Sequence, residues 1–156
     1  MSLSSFLDPK EKRFRLREGR AVLGYAREVY GGTRFYSKDQ YWWTGREIRY
    51  ETIDEWCGFV DKHRKYIYEW DIVRYKVDSS KGYKSGAVLW QEKNKRFGIR
   101  DLDENNFFPL KAEGLSLFDF NELEVYSQLY LNPDILEEWG LEDSWMSILW
   151  IMQSFD

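Results

Sequence analysis

Short runs in which apolar and polar residues alternate recur along most of the chain, separated by polar or glycine-containing turns. Side chains of a strand point to opposite faces in turn, so this period of two predicts many short β-strands, each with one buried face. Phe14-Arg15-Leu16 and Ala21-Val22-Leu23 flank Glu18-Gly19, and Glu28-Val29-Tyr30 precedes Gly31-Gly32 and Thr33-Arg34-Phe35, which predicts successive hairpins. Within residues 71–77, Val73, Tyr75 and Val77 share one face, and Arg74 and Lys76 the other. Ser79-Ser80-Lys81-Gly82 reads as a turn, 86–90 as a strand, 91–95 as a polar turn and 96–100 as another strand; 107–110 and 123–125 supply two more. Short strands at a spacing of about 8 to 12 residues predict a small barrel or sandwich.

The pattern changes near the C-terminus. Asn132 can cap a helix with Pro133 at its first position, and Gly140 stands where that helix stops. A second helix is expected after Asp143 or Ser144, where Trp145, Ile148, Leu149 and Met152 form one apolar stripe, widened by Met146, Trp150 and Ile151. The stripe is either core or a sticky surface for a partner or a second copy. The expected organisation is a β-rich segment over 1–55, a barrel core over 56–131 and a helical extension over 132–156.

Length bounds the chain at one domain, or two small β units sharing a core, in 156 residues. Leu, Ile, Val and Phe make up 40 of them, enough to predict a folded core. Cys57 is the single cysteine and cannot form an internal disulfide, which fits a reducing cytosol. The net charge of −4 is unevenly spread: residues 1–100 hold 22 Lys and Arg against 14 Asp and Glu, residues 101–156 hold 1 against 13. No secretory leader is expected from the polar start, and the longest mostly apolar run, 145–152, falls well short of the roughly 20 residues of a membrane span. No fixed-period repeat or low-complexity segment is present. A cytoplasmic protein without a membrane association is therefore expected.

Four stretches carry a family resemblance: Trp56-Cys57-Gly58-Phe59-Val60-Asp61-Lys62, Tyr66-Ile67-Tyr68-Glu69-Trp70-Asp71-Ile72-Val73, Gly86-Ala87-Val88-Leu89-Trp90 and Val125-Tyr126-Ser127-Gln128-Leu129-Tyr130-Leu131-Asn132-Pro133. In order and spacing they resemble the YopX family of phage and prophage proteins over about half the chain. Two departures stand out: His63-Arg64 occupies a hairpin tip where the family usually has Asn-Gly, and Trp70 stands where it usually has Gly before Asp. His63-Arg64 suits a type I′ turn poorly and suggests a different or longer turn. Residues 1–55 match only loosely. The resemblance implies a mainly β protein with a small SH3-like barrel, N-terminal hairpins and a short helical extension, of phage or prophage origin, in the host cytoplasm. It implies no established molecular activity and no catalytic residue.

Candidate chemistry is sparse. One histidine, His63, and one cysteine cannot build the usual zinc sites, so His63 reads as a turn residue and Cys57 as a small strand or core residue. No Gly-x-Ser-x-Gly elbow accompanies His63, and Gly31-Gly32 leads into neither a P-loop nor a dinucleotide fingerprint. Asp101-x-Asp103-x-Asn105 opens like a calcium loop but has Asn106 and Ala112 where such a loop needs Gly and Glu, and reads as a solvated loop. Asp78 with Gln91-Glu92-Lys93 has the residue types of a magnesium-dependent nuclease, and reads more simply as a charged hairpin tip. No cofactor and no metal are expected.

Binding is the stronger class. Basic and aromatic residues interleave over 27–43 and 64–75, as in proteins that stack single-stranded nucleic acid, yet Trp and Tyr equally fill the core of a small β domain. A protein partner, or self-association into a homo-oligomer, is favoured; nucleic acid is the runner-up and a metal-dependent nuclease a distant third. The contact aromatics expected are Trp42, Trp43, Tyr66, Tyr68, Trp70 and Trp90. The acidic residues from Asp119 to Asp143 read as a solvated face, with nucleic-acid mimicry, a basic host protein or another copy as functional alternatives.

Overall fold

A computed structural model describes residues 11–29, 32–38, 44, 46–76 and 82–141. Trp42, Trp43, Asp78 and the apolar stripe at 145–152 lie outside the described residues. The chain divides into two compact units, with the break between Glu55 and Trp56.

The first unit is built on β1 (Lys12–Glu18), β2 (Ala21–Val29), β3 (Gly32–Tyr36) and the beginning of β4 (Thr52–Val60). They lie in the order β3-β2-β1-β4, every neighbour antiparallel. Both expected hairpins are present, β1 with β2 and β2 with β3. Alternation along β1 sends Phe14 and Leu16 to one face and Arg15 and Arg17 to the other. Opposite them, Ile53 pairs with Leu16 and Asp54 with Arg15. The Asp54 carboxylate accepts from Arg15 Nε at 2.8 Å and from Arg17 Nε and Nη2 at 2.6 and 2.9 Å, while Arg17 Nη1 donates to the Gly19 carbonyl. All three charged side chains are buried.

In the second unit β4 continues past Trp56 and pairs with β5 (Tyr66–Tyr68). A five-stranded antiparallel sheet follows in the order β12-β6-β7-β8-β9, from β6 (Asp71–Tyr75), β7 (Lys84–Gln91), β8 (Arg96–Asp101), β9 (Phe107–Pro109) and β12 (Glu124–Gln128). A small hairpin, β10 (Lys111–Ala112) with β11 (Leu115–Ser116), lies between β9 and β12 in sequence. Val73 and Tyr75, as their alternation predicts, face a core with Cys57, Ile67, Val88, Ile99, Leu110, Phe118 and Leu123. Ile72 and Ala87, paired across β6 and β7, are buried on the opposite face. Among the described residues one α-helix, α1 (Pro133–Trp139), buries Leu136 and sets its Trp139 ring 4.2 Å beneath the Arg100 guanidinium.

Two turns explain departures from the family pattern. At the β4–β5 tip the Arg64 N–H donates to the Asp61 carbonyl and Arg64 takes φ 63°, giving a longer turn that ends in a left-handed residue, as the sequence requires without Asn-Gly. Asp61 itself is fully buried: Oδ1 accepts from the N–H groups of His63 and Lys65 at 2.8 and 2.9 Å, and Oδ2 from Val125 N–H at 3.1 Å. Trp70 holds φ 76°, a conformation natural to the glycine the family usually has there; its N–H donates to Val88 O and its carbonyl accepts from Leu129 N–H. Gly86 is required by contact, since a Cβ there would sit 2.4 Å from Ile99 Cγ2 and 2.7 Å from Arg100 O.

The mainly β class and the short C-terminal helix agree with the sequence. The sheets of the described residues are open, where the resemblance implies a closed SH3-like barrel. Asn132 precedes α1 but does not cap it with its side chain; its amide donates instead to Ser127 Oγ and Gln128 O. Gly140 ends the helix in the left-handed conformation, φ 67°, and Leu141 N–H closes on Leu136 O, as the stop signal predicts. Among the described residues no helix is long and apolar enough to cross a membrane.

Two substitutions test this account of the β4–β5 tip. Asp61→Ala orphans backbone donors of the tip and of β12, and is expected to lower unfolding free energy by about 3 kcal/mol in urea titration. Arg64→Gly removes left-handed strain at an exposed position and is expected to raise it by about 0.5–1 kcal/mol; a loss on Arg64→Gly would show that the tip does not hold this conformation.

Candidate binding groove

Among the described residues, the face of the first unit that carries Phe14 and Leu16 has a concavity over a buried floor. Register places Phe35 of β3, Ala26 of β2 and Phe14 of β1 in one cross-strand row, and Leu16 beside Ile53 in the next. The connection between β3 and β4 reaches this face: Thr44 N–H donates to Phe35 O, Ile48 approaches Gly24, where an added Cβ would lie 2.5 Å from its Cδ1, and Glu51 N–H donates to Arg17 O. Phe14, Leu16, Ala26, Phe35 and Ile53 line a groove of about 270 Å³ together with Glu28, Thr33, Glu47 and Tyr50. Leu16 and Ala26 are buried in the floor, while Tyr50 and Ile53 stand 49% and 46% exposed. An apolar floor with exposed large side chains at its lip is suited to binding another apolar surface.

Four of the six expected contact aromatics lie among the described residues. Trp42 and Trp43 are outside the described residues. Tyr66 packs edge-on against Trp56, ring centroids 5.3 Å apart. Tyr68 is 3% exposed, so its ring is packing inside the second unit rather than a surface contact. Trp70 is half-buried in its turn. Trp90 alone among the four described ones is exposed, and it stacks edge-on with Phe97 and donates its indole N–H to Glu92 at 2.7 Å. The groove residues were missed because Ile53 and Tyr50 fall in a stretch without clear alternation; the alternation of Phe14 with Leu16 was the available signal.

The other candidate chemistries resolve into structure. Cys57 is buried in the core, and burial pushes its thiol up to about 12, far from a reactive thiolate. His63 is a tip residue, as expected, and its Nε2 lies 3.0 Å from Glu124 Oε2. Glu124 also meets Lys62 at 3.0 Å and Arg74 at 3.6 Å, and these partners hold its carboxyl below the usual range. Glu92 is engaged locally by Lys95 and Trp90 at an exposed hairpin tip. The loop after β8 is organised by Asp101, whose Oδ1 accepts from Asp103 and Glu104 N–H groups and whose Oδ2 accepts from the buried Tyr75 hydroxyl. Burial raises the Asp101 carboxyl, and the Tyr75 hydroxyl, those two N–H groups and the Lys84 cation outweigh it and hold it below its ordinary range; burial and Asp101 push Tyr75 the other way. Among the described residues no group of three or more His, Cys, Asp or Glu is placed to hold a metal ion.

The family model described as YopX protein matches residues 25–137, from within β2 to within α1. The match reaches further toward the N-terminus than the stretches from Trp56 onward suggest and takes in the groove side chains from Ala26 to Ile53. A search of curated proteins finds no match for this chain.

The Asp101 cluster gives an acid-stability prediction. An unfolded aspartate titrates at about 3.9, and the folded value lies lower, so the stabilisation is complete above about pH 4 and is lost as pH falls through the folded value. The urea midpoint is expected to drop below pH 4, and that of Asp101→Asn to be lower at neutral pH and to converge with wild type in acid. Parallel pH curves for the two proteins would remove this role.

Proposed function

Because the chain belongs to the YopX family, a group with no known catalytic role, we propose that it is a phage- or prophage-type accessory protein that works by binding a protein partner in the bacterial cytoplasm. The observation that carries this reading is the apolar groove of the first unit, in which Ile53 and Tyr50 stand half exposed beside a buried floor. Exposed apolar surface gathered around a concavity is the usual mark of a protein-binding site. The free, buried Cys57 is consistent with a reducing compartment.

Single-stranded nucleic acid has less support. Of its two interleaved basic and aromatic stretches, the one over 64–75 has Tyr68 and Tyr75 buried and Tyr66 engaged by Trp56, and the one over 27–43 lies partly outside the described residues. A stacking platform needs free ring faces.

The proposal is tested by comparing proteins retained from bacterial lysate by the wild-type chain and by Ile53→Asp, with circular dichroism confirming that both are folded. At least one protein retained by the wild type and lost on Ile53→Asp is expected. Identical sets from the two baits, or nothing retained by either, would end the groove's candidacy.

A further inference from the structure

The groove carries charge as well as apolar surface. Glu28 and Glu47 line it beside Phe14, Phe35, Tyr50 and Ile53. Both residues are exposed, and among the described residues neither side chain closes an ion pair. Lys12 is the cross-strand neighbour of Glu28, yet the described ion pairs of this unit run from Arg13 and Arg27 to Glu11 and from Arg15 and Arg17 to Asp54. Two uncommitted carboxylates beside an apolar floor favour an occupant that brings both apolar side chains and positive charge.

We propose that the groove takes a peptide segment of a partner protein in which apolar residues are accompanied by lysine or arginine, the cations meeting Glu28 and Glu47 while the apolar side chains lie against Phe14, Phe35 and Ile53. This rests on the protein-binding reading above and names its partner chemistry. The chain's own C-terminal stretch, 142–156, is apolar enough to compete but contains no lysine or arginine, so it cannot supply the cation. Charge on the partner sets selectivity and encounter rate, and apolar burial supplies most of the affinity.

A yeast-displayed library of random dodecapeptides, sorted against the purified full chain, tests this. Wild type is expected to enrich peptides that combine apolar residues with Lys or Arg. Their affinity should fall about tenfold on Glu28→Lys with Glu47→Lys, two exposed ion pairs being lost and reversed, and sorting against that double variant should favour acidic peptides instead. Ile53→Asp should abolish enrichment by either. Groove-dependent enrichment of neutral or acidic peptides by the wild type would overturn the cation requirement and leave the protein-binding reading standing. Enrichment indifferent to Ile53→Asp, or none, would overturn both. Light scattering that shows a dimer disrupted by Ile53→Asp would overturn the proposal in favour of a second copy as the occupant.

Discussion

The first unit depends on one buried ionic cluster, the Asp54 carboxylate held between Arg15 and Arg17. Charges taken out of water are tolerated only with close partners, and losing one partner of such a cluster costs about 3–5 kcal/mol. The demand is geometric. Asp54 can meet both guanidinium groups only when β4 pairs with β1 in the observed register, Arg15 opposite Asp54. Since side chains alternate, that register obliges Ile53 to the other face, beside Leu16. A slip by one residue would bury Ile53 among the arginines and turn Asp54 into the groove. The ionic face thus specifies the apolar face.

The second unit solves a similar problem with neutral donors. Asp61 and Asp101 are buried carboxylates satisfied largely by backbone N–H groups at the ends of strands, which ties each turn to a defined geometry. Asp61 reaches further, accepting from Val125 and so fixing the β4–β5 tip to β12. Acidic residues that look like candidate ligands in the sequence are here the fasteners of loops. This is why aspartate and asparagine spacing alone is a weak guide to metal chemistry: the same side chains that coordinate cations also accept backbone hydrogen bonds two and three residues on.

Much of the fold was legible because strand alternation is a local signal. Val73 and Tyr75 against Arg74, the hairpin at Glu18-Gly19 and the helix from Pro133 to Gly140 all declare themselves within a few residues. What escaped depends on contacts remote in sequence. Residues 52–60 form one strand whose first part pairs with β1 and whose later part pairs with β5, so its pattern follows neither a single buried face nor a regular period. The aromatic positions were harder still. Tyr68 and Trp90 look equivalent in the sequence, yet Tyr68 is buried and Trp90, near a hairpin end, is exposed. Arg64 and Trp70 are non-glycine residues in left-handed conformations, which no local preference foretells and which only the family pattern hinted at.

The isolation of Cys57 has a practical corollary. A thiol enclosed by Ile67, Val73 and Val88, with its ionisation pushed so far toward the alkaline, is shielded from maleimides and disulfide reagents while the protein is native. A second cysteine engineered at the surface could therefore carry a fluorophore or spin label in a single, known place, and the wild-type sulfur would become modifiable only when the second unit opens, turning alkylation rate into a clock for that opening.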